Sequence, residues 1–247
     1  MSTGKRLPTA AESFASIAAD PSSLRSFLAC IGSSDAPSRT RAAQLLDDCE
    51  SVCDVGCGPA VLYETLVRRR SDPASSDDVA GRPVAPLPLR YVGVDPVQEL
   101  LHLAQSRVPA AIDVTGTAAA DVTSLAETGE RHALVLDEPA GYLARCVAGF
   151  DGVVLRHVVE HLAEPWALLS AAAVATRGVL VVVVSQATRE HGMPSSVMTD
   201  HHLGAMRWSH WRPRLLRHVA EYGLELVRRE TGSPLVVREE LFAWCRP

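Results

Sequence analysis

The side chains best suited to chemistry fall in a few short groups. The first is Asp54, Gly56, Cys57 and Gly58, inside S-V-C-D-V-G-C-G-P-A from Ser51 to Ala60. Val52, Cys53 and Val55 suit a buried strand, and Asp54 interrupts them with a charge. A lone carboxylate in an apolar strand is costly unless something polar meets it. Gly56 and Gly58 stand where the backbone must bend sharply, and Pro59 suits the first turn of a helix. Strand, acid and glycine turn together suggest a ligand-binding turn of the phosphate or nucleotide kind. The second group is Asp95 with Pro96, closing R-Y-V-G-V-D-P; Asp95 there could equally cap the next helix. Asp137 and Glu138, before Pro139, form the third. Arg156, His157 and His161 form the fourth, within F-D-G-V-V-L-R-H-V-V-E-H-L. Asp200, His201 and His202, with His191 and His210 nearby, could bind a metal ion or line an acceptor pocket. Trp208 and Trp211 could wall a ring-bearing acceptor or pack in the core.

These groups need a scaffold, and the pattern around them supplies one. Ala10 to Ala19, Leu24 to Ile31 and Ser38 to Leu46 read as helices separated by turn residues. They form an N-terminal cap over residues 1–50, either a lid over a site or a cover for a sheet edge. Residues 51–247 then read as one compact unit. Ala60 to Val67 is a helix ending at Arg68-Arg69-Arg70, cations that suit a helix C-terminus. Ser71 to Leu89 is a Ser/Asp/Pro/Gly-rich insertion without periodicity. Arg90 to Asp95 is a second strand and Val97 to Arg107 an amphipathic helix. Pro109 to Glu130 is irregular, with a helix near Val122 to Thr128; Ala133 to Leu136 is a third strand and Tyr142 to Val147 a short helix. Phe150 to Arg156 is a fourth strand, Pro165 opens a helix through Ala175, and Gly178 to Ser185 is a fifth. The continuous apolar run of that last strand is expected where both faces are buried, as in a parallel sheet. Gln186 to His210 reads as a polar connection, Pro213 to Tyr222 as a helix, and the two segments flanking Thr231-Gly232-Ser233-Pro234 as a hairpin closing the sheet edge.

Composition narrows the function classes. The chain has 247 residues, 47% hydrophobic and 21% charged, an ordinary balance for a globular protein that buries a sizeable core. A formal net charge of -5 and no basic run beyond the three arginines give no phosphate track for nucleic acid. The longest apolar run, Val179 to Val184, is far too short for a bilayer, and the N-terminal residues lack a signal core. A cytoplasmic protein is expected. Six cysteines read as buried thiols; Cys53 and Cys57 lack a second pair at zinc spacing.

Taken in order, V-C-D-V-G-C-G-P-A, V-G-V-D-P, D-E-P, F-D-G-V-V-L-R-H-V-V-E-H-L, the buried strand and the terminal hairpin resemble the class I S-adenosylmethionine-dependent methyltransferases. E-H-L-x-x-P-W is similar to a branch that modifies small molecules. The resemblance implies an α/β, Rossmann-like, doubly wound sheet of seven mostly parallel strands, with a C-terminal antiparallel hairpin and the N-terminal helical cap. It implies S-adenosylmethionine as cofactor, with the Gly56 and Gly58 backbone, Cys57 between them, against its methionine part and Asp54 orienting that group. Asp95, followed by Pro96, would accept from the ribose hydroxyls, Asp137 or Glu138 would lie near the adenine amino group, and Arg156 with His157 would close the pocket. The insertion lengthens the interval between Asp54 and Asp95 beyond the family's usual one. The third acid also follows an irregular segment.

Methyl transfer from a sulfonium is an in-line displacement, so alignment supplies much of the rate. A hydroxyl or protonated amine must also lose a proton. His161 is the favoured base, with His157 one turn away; a histidine bonded to backbone and fixing the loop is the plainer alternative. The leading expectation is methylation of a hydroxyl or amine on a small molecule, with secondary metabolites in view. A nicotinamide-dependent oxidoreductase is the rival, against which stand Val61 at the third glycine position and Asp54 before the first. A methyltransferase-like binding module without catalysis is the other.

Overall fold

The computed structural model describes residues 9–31, 37–71, 89–109, 111–115, 131–185, 188–189, 197–200, 206–231 and 239–247. Two helices open the described chain. Thr9 and Glu12 make a reciprocal capping box at the start of α1 (Ala10–Ala19), with bonds of 3.2 and 2.7 Å. Asp20 ends that helix and accepts from the Ser23 amide at 2.8 Å to start α2 (Pro21–Ile31). Next come α3 (Pro37–Leu45), β1 (Ser51–Val55), α4 (Val61–Ser71), β2 (Arg90–Asp95) and α5 (Gln98–Gln105). Two short strands follow, β3 (Ile112–Thr115) and β4 (His132–Leu136), then α6 (Pro139–Ala144), β5 (Phe150–Arg156), α7 (Trp166–Ala175) and β6 (Thr176–Ser185). The last elements are β7 (Thr188–Arg189), β8 (Val197–Asp200), β9 (Met206–Trp211), α8 (Arg212–Ala220), β10 (Glu225–Thr231) and β11 (Glu239–Cys245).

Among the described residues the main sheet has eight strands, in the order β10-β11-β6-β5-β1-β2-β4-β3. All six strands from β6 to β3 run parallel, and β11 and β10 run antiparallel at the other edge. The α/β doubly wound class and the terminal hairpin match expectation. The count exceeds the expected seven because Ile112–Thr115, read as irregular, pairs with β4 at the far edge. It is a four-residue edge strand whose I-D-V-T alternation is the shortest run that marks a strand. The stretch read as a polar connection also holds structure: β9 pairs antiparallel with β8 and parallel with β7 in a small second sheet.

Strand alternation sends side chains to two cores. Cys53, Val55, Val92, Val94, Leu180 and Val182 meet α6, α7 and α8 on one face. Val52, Tyr91, Leu134, Val154, Val181 and Val183 meet α3, α4 and α5 on the other. Cys53 and Cys57 therefore belong to opposite faces, and Cys49, Cys53, Cys57, Cys146 and Cys245 are free thiols. Gly152 leaves room for the turn that follows α3: a Cβ there would lie 2.4 Å from Leu46 Cδ2. Thus α3, through Ala42 and Ala43, and the turn after it, through Leu46, are built into the main core. The part of the expected cap that stands apart is α1 with α2. A satellite cluster joins Phe14, Ala18, Leu24 and Phe27 to Val97 and Leu100. No described helix is long and apolar enough to cross a membrane. The insertion between Ser71 and Leu89, the Val122 to Thr128 helix, His191, His201, His202 and the Gly232 turn lie outside the described residues.

Candidate functional site

The parallel strands end on one edge of the sheet, and open α/β sheets place ligands there. At the end of β1 the chain turns through Gly56 (φ 65°), Gly58 (φ 51°) and Ala60 (φ 55°). Two consecutive amides, Gly56 and Cys57, donate to the Val94 carbonyl at 2.8 and 3.1 Å, which pins the turn to β2. The two glycines serve different needs. A Cβ on Gly56 would lie 2.5 Å from Val158 Cγ2, so Gly56 admits the segment after β5. A Cβ on Gly58 would meet nothing within 4 Å, so the left-handed backbone there faces open space.

Asp54 is buried one strand residue before the turn. Its partner is Tyr91, whose hydroxyl donates to Oδ2 at 2.7 Å. The Tyr91 ring reaches it by lying over Gly93, where a Cβ would sit 3.2 Å from the ring and 2.9 Å from Cys57 Sγ. R-Y-V-G-V-D places Tyr91 and Gly93 on one face, and register puts Gly93 beside Asp54. Burial pushes the Asp54 carboxyl up to about 6, against the Tyr91 hydrogen bond and the charges of Arg156 and Arg39.

Asp95 ends β2, and its two oxygens tie two backbone segments together. Oδ2 accepts from the Gly58 amide at 2.9 Å and Oδ1 from the Val97 amide at 2.8 Å. One acid thus fixes the glycine turn and also braces the Val97 backbone just before α5. Burial raises it to about 6, with those two bonds opposing and Asp54 adding to the rise. Each oxygen keeps a second lone pair for a ligand hydroxyl. Asp137 is brought beside it, since β4 pairs with β2 and the Asp137 amide donates to the Asp95 carbonyl at 3.4 Å. Asp137 also accepts from the Glu138 amide at 2.7 Å and pairs with Arg145, while Glu138 is exposed.

After β5 the chain enters a dense ionic cluster. His157 adopts φ 57°, a left-handed conformation that costs a non-glycine residue roughly 1–2 kcal/mol and needs its surroundings to enforce it. Its amide extends the sheet to the Val183 carbonyl at 2.9 Å. Its ring lies between two carboxylates: Nδ1 is 3.0 Å from Glu160 Oε1 and Nε2 is 3.0 Å from Glu239 Oε1. Burial works to lower the His157 pKa, but the two carboxylates outweigh it and raise the group. Burial works to raise Glu160, yet the His157 bond and charge, with that of His161, hold it down at about 2. Arg156 is lowered by burial, while Asp54, Glu239 and Glu160 support its charge.

His161 ends the 3-10 turn Val159–His161, and its amide donates to the Val158 carbonyl at 3.0 Å. Its ring meets the Phe14 ring edge-on at 4.8 Å, so α1 comes down onto the site edge. His210 has a different place from a pocket-lining one. It is fully buried in β9, and Nε2 lies 3.0 Å from the Val159 carbonyl, anchoring the 3-10 turn. Burial lowers its pKa, as suits a neutral ring donating to a carbonyl. Trp208 and Trp211 are half-buried, Trp211 preceding α8. Among the described residues no group of three or more His, Cys, Asp or Glu side chains could hold a metal ion.

The structure therefore gathers Asp54, Gly56, Cys57, Gly58, Asp95, Pro96, Asp137, Arg156, His157 and His161 along one sheet edge. Sequence reasoning missed Tyr91, Glu160 and Glu239. Glu160 stood inside the quoted E-H-L motif, and the consecutive acids Glu239 and Glu240 opening the apolar L-F-A-W were the available signal for the third.

A parallel sheet, a glycine turn after its central strand and an acid ending the next strand define the Rossmann-like ligand-binding class. A family model described as a methyltransferase domain matches residues 31–229, and the chain belongs to that family. Comparison with curated protein sequences finds no match. Among solved structures, 1,6-didemethyltoxoflavin-N1-methyltransferase of Burkholderia thailandensis, with its namesake ligand and S-adenosylhomocysteine bound, is 14% identical. That match covers 98% of this chain and 92% of that one, with a TM-score of 0.59. The N-methyltransferase NodS of Bradyrhizobium japonicum, in complex with S-adenosylhomocysteine, is 15% identical over 97% and 100% of the chains, at 0.55. Magnesium protoporphyrin IX methyltransferase of Synechocystis, with S-adenosylmethionine bound, is 15% identical over 84% and 77%, at 0.52. At such identities the likeness is one of fold.

Proposed function

We propose that this protein transfers the methyl group of S-adenosylmethionine to a hydroxyl or amine of a small molecule. The observation that carries this is the opening at Gly58: left-handed backbone facing open space, with Asp95 bonded to its amide and Asp54 buried beside it. A cradle that a side chain would fill, lined by two carboxylates raised to about 6, suits a ligand bringing a cation and hydroxyl donors. Bound there, the cofactor supplies an electrophilic methyl group on a positively charged sulfur.

The remaining roles belong to the chain. Gly56, Cys57 and Gly58 seat the methionine end and Asp54 orients its ammonium group. The free lone pairs of Asp95, beside Pro96, accept from the ribose hydroxyls, and Asp137 with Glu138 borders the adenine. Arg156 and His157 close the pocket. Both His157 ring nitrogens face carboxylates, so His157 holds position while His161 accepts a proton from the acceptor. Phe14 covers His161, which supports α1 and α2, the outer part of the expected cap of residues 1–50, as a lid over the acceptor side of the domain of 51–247, whose core α3 joins. A net charge of -5 and free thiols support a cytoplasmic protein acting on a small molecule rather than on nucleic acid. The similar structures named as methyltransferases of 1,6-didemethyltoxoflavin and of magnesium protoporphyrin IX support a small-molecule acceptor.

Calorimetry with S-adenosylmethionine, S-adenosylhomocysteine and NADH tests the cofactor. The two sulfur cofactors should bind and NADH should not; binding of NADH alone would overturn the reading. A cofactor-consumption screen over phenols, amines, carboxylates and sugars then identifies the acceptor.

A further inference from the structure

Glu239 lies far from the site in sequence but next to it in the sheet. Because β11 runs antiparallel to its neighbours, it enters the sheet where the parallel strands end, and its first residue pairs with Ser185 at the end of β6. That places Glu239 within reach of His157, which sits one residue beyond β5. Its neighbour Glu240 pairs with Arg212 at the start of α8, so the strand end is anchored separately.

The geometry determines the protonation of the His157 ring. A carboxylate oxygen accepts and cannot donate, so a ring with both nitrogens 3.0 Å from such oxygens donates from both. His157 is therefore an imidazolium bridging Glu160, on its own turn, and Glu239, on the antiparallel strand. Other groups facing this cluster are Arg156, with Asp54 and Arg39 behind it, His161 and His210 beside Glu160, and Ser38 beside Glu239. What the bridge holds is the next residue. Val158 packs where a Cβ of Gly56 would be, and the Val158 carbonyl takes the amide of His161.

We propose that Glu239 is a positioning residue of the cofactor site: through a doubly protonated His157 it clamps the turn at Val158 against Gly56 and so holds the cofactor seat closed. This rests on the methyltransferase reading for the identity of the ligand, but not for the clamp itself.

Glu239→Gln keeps the shape and removes the second carboxylate. Ring titration of His157 by 15N NMR, in the full chain without ligand, reads the clamp directly. In the unaltered protein His157 should stay doubly protonated at pH 7.0 and in the variant its proton affinity should fall at least tenfold, as expected for losing one charged partner. A neutral His157 at pH 7.0, or the same titration in both proteins, overturns the proposal. Calorimetry with S-adenosylhomocysteine reads the seat. The variant should bind roughly tenfold more weakly at pH 8 and within about twofold at pH 6, where Glu160 alone keeps His157 protonated. An equal loss at both pH values would mark a merely structural residue and overturn it. Glu240→Gln, on the same strand end, should leave the His157 titration unchanged. Should the unaltered protein not bind S-adenosylhomocysteine, the methyltransferase reading and the seat fall together, while the ring titration still decides the clamp.

Discussion

At the amino ends of β1 and β5, Asp151 accepts from the Ser51 amide and hydroxyl at 2.9 and 2.7 Å and pairs with Arg177 at 2.8 Å. Arg177 there is 46% exposed, and water shares the load. At the carboxyl end of the sheet Asp54 on β1, Asp95 closing β2 and Glu160 just after β5 are buried, and their acidity moves in both directions. Glu160 has a cation against it and is held low; Asp54 and Asp95 have mainly neutral donors and are held high. A scaffold minimising its own energy would arrange both ends like the first. The second end keeps two carboxylates underserved, which is the state a cationic, hydroxyl-bearing ligand relieves.

The sharpest way to separate the ends uses two glycines that are equally crowded. Gly56→Ala brings a Cβ to 2.5 Å from Val158 in a left-handed backbone, and Gly152→Ala brings one to 2.4 Å from Leu46 in the core. Gly56→Ala should cost about 2–4 kcal/mol by denaturant unfolding and weaken S-adenosylmethionine at least about a hundredfold. Gly152→Ala should cost about 1–3 kcal/mol with affinity within about threefold. Comparable affinity losses in the two variants would erase the distinction between the ends.

Asp54→Asn should split stability from function. The folded acid is raised from 3.8 to about 6, so its charge costs nothing below about pH 4 and progressively more as pH rises through 6. Removing that charge should make the empty protein more stable at pH 8, by about 1–3 kcal/mol, with the Tyr91 hydroxyl still able to donate to the amide oxygen. Affinity for S-adenosylmethionine should fall about ten- to a hundredfold. A variant less stable at pH 8 would show that the ionised acid is already well paired in the empty site.

The same shift gives the unaltered protein a pH profile. Donors on the ligand favour the ionised forms of Asp54 and Asp95, so binding releases protons wherever those acids are protonated in the empty site. Affinity should be flat above about pH 7 and fall roughly tenfold or more between pH 6 and 5, measured by calorimetry in buffers of different ionisation enthalpy. A flat profile down to pH 5 would place both acids at ordinary values and remove the contrast.

These features were unequally visible in the sequence. The glycine turn, the strand acids and the buried apolar strand are local patterns, so β1, β2, β5, β6 and the first strand of the hairpin were legible within a residue or two. The partners of those acids are not local. Tyr91 reaches Asp54 across a strand register, and Glu239 reaches His157 through the reversal of one strand. His210 misled for a related reason: histidines in a polar stretch suggest a binding site, while its contact with the Val159 carbonyl depends on a small sheet whose strands are short. The four residues of β3, I-D-V-T, alternate apolar and polar over only the shortest run that marks a strand, and they gain order from β4.

The smallest effect belongs to the solvent-facing end. Arg177 is nearly half exposed, and a pair of that kind contributes on the order of 0–1 kcal/mol and is weakened by salt. Asp151 would keep both Ser51 bonds after Arg177→Gln, so unfolding should shift by less than about 1 kcal/mol, and by still less in high salt. Cofactor affinity should not change, because β1 and β5 transmit no alternative arrangement from one end to the other: their cores are packed on both faces. If Arg177→Gln weakened S-adenosylmethionine as Asp54→Asn does, the strands would be coupling their two ends, and the charge arrangement at the carboxyl end would no longer be a local property of the site.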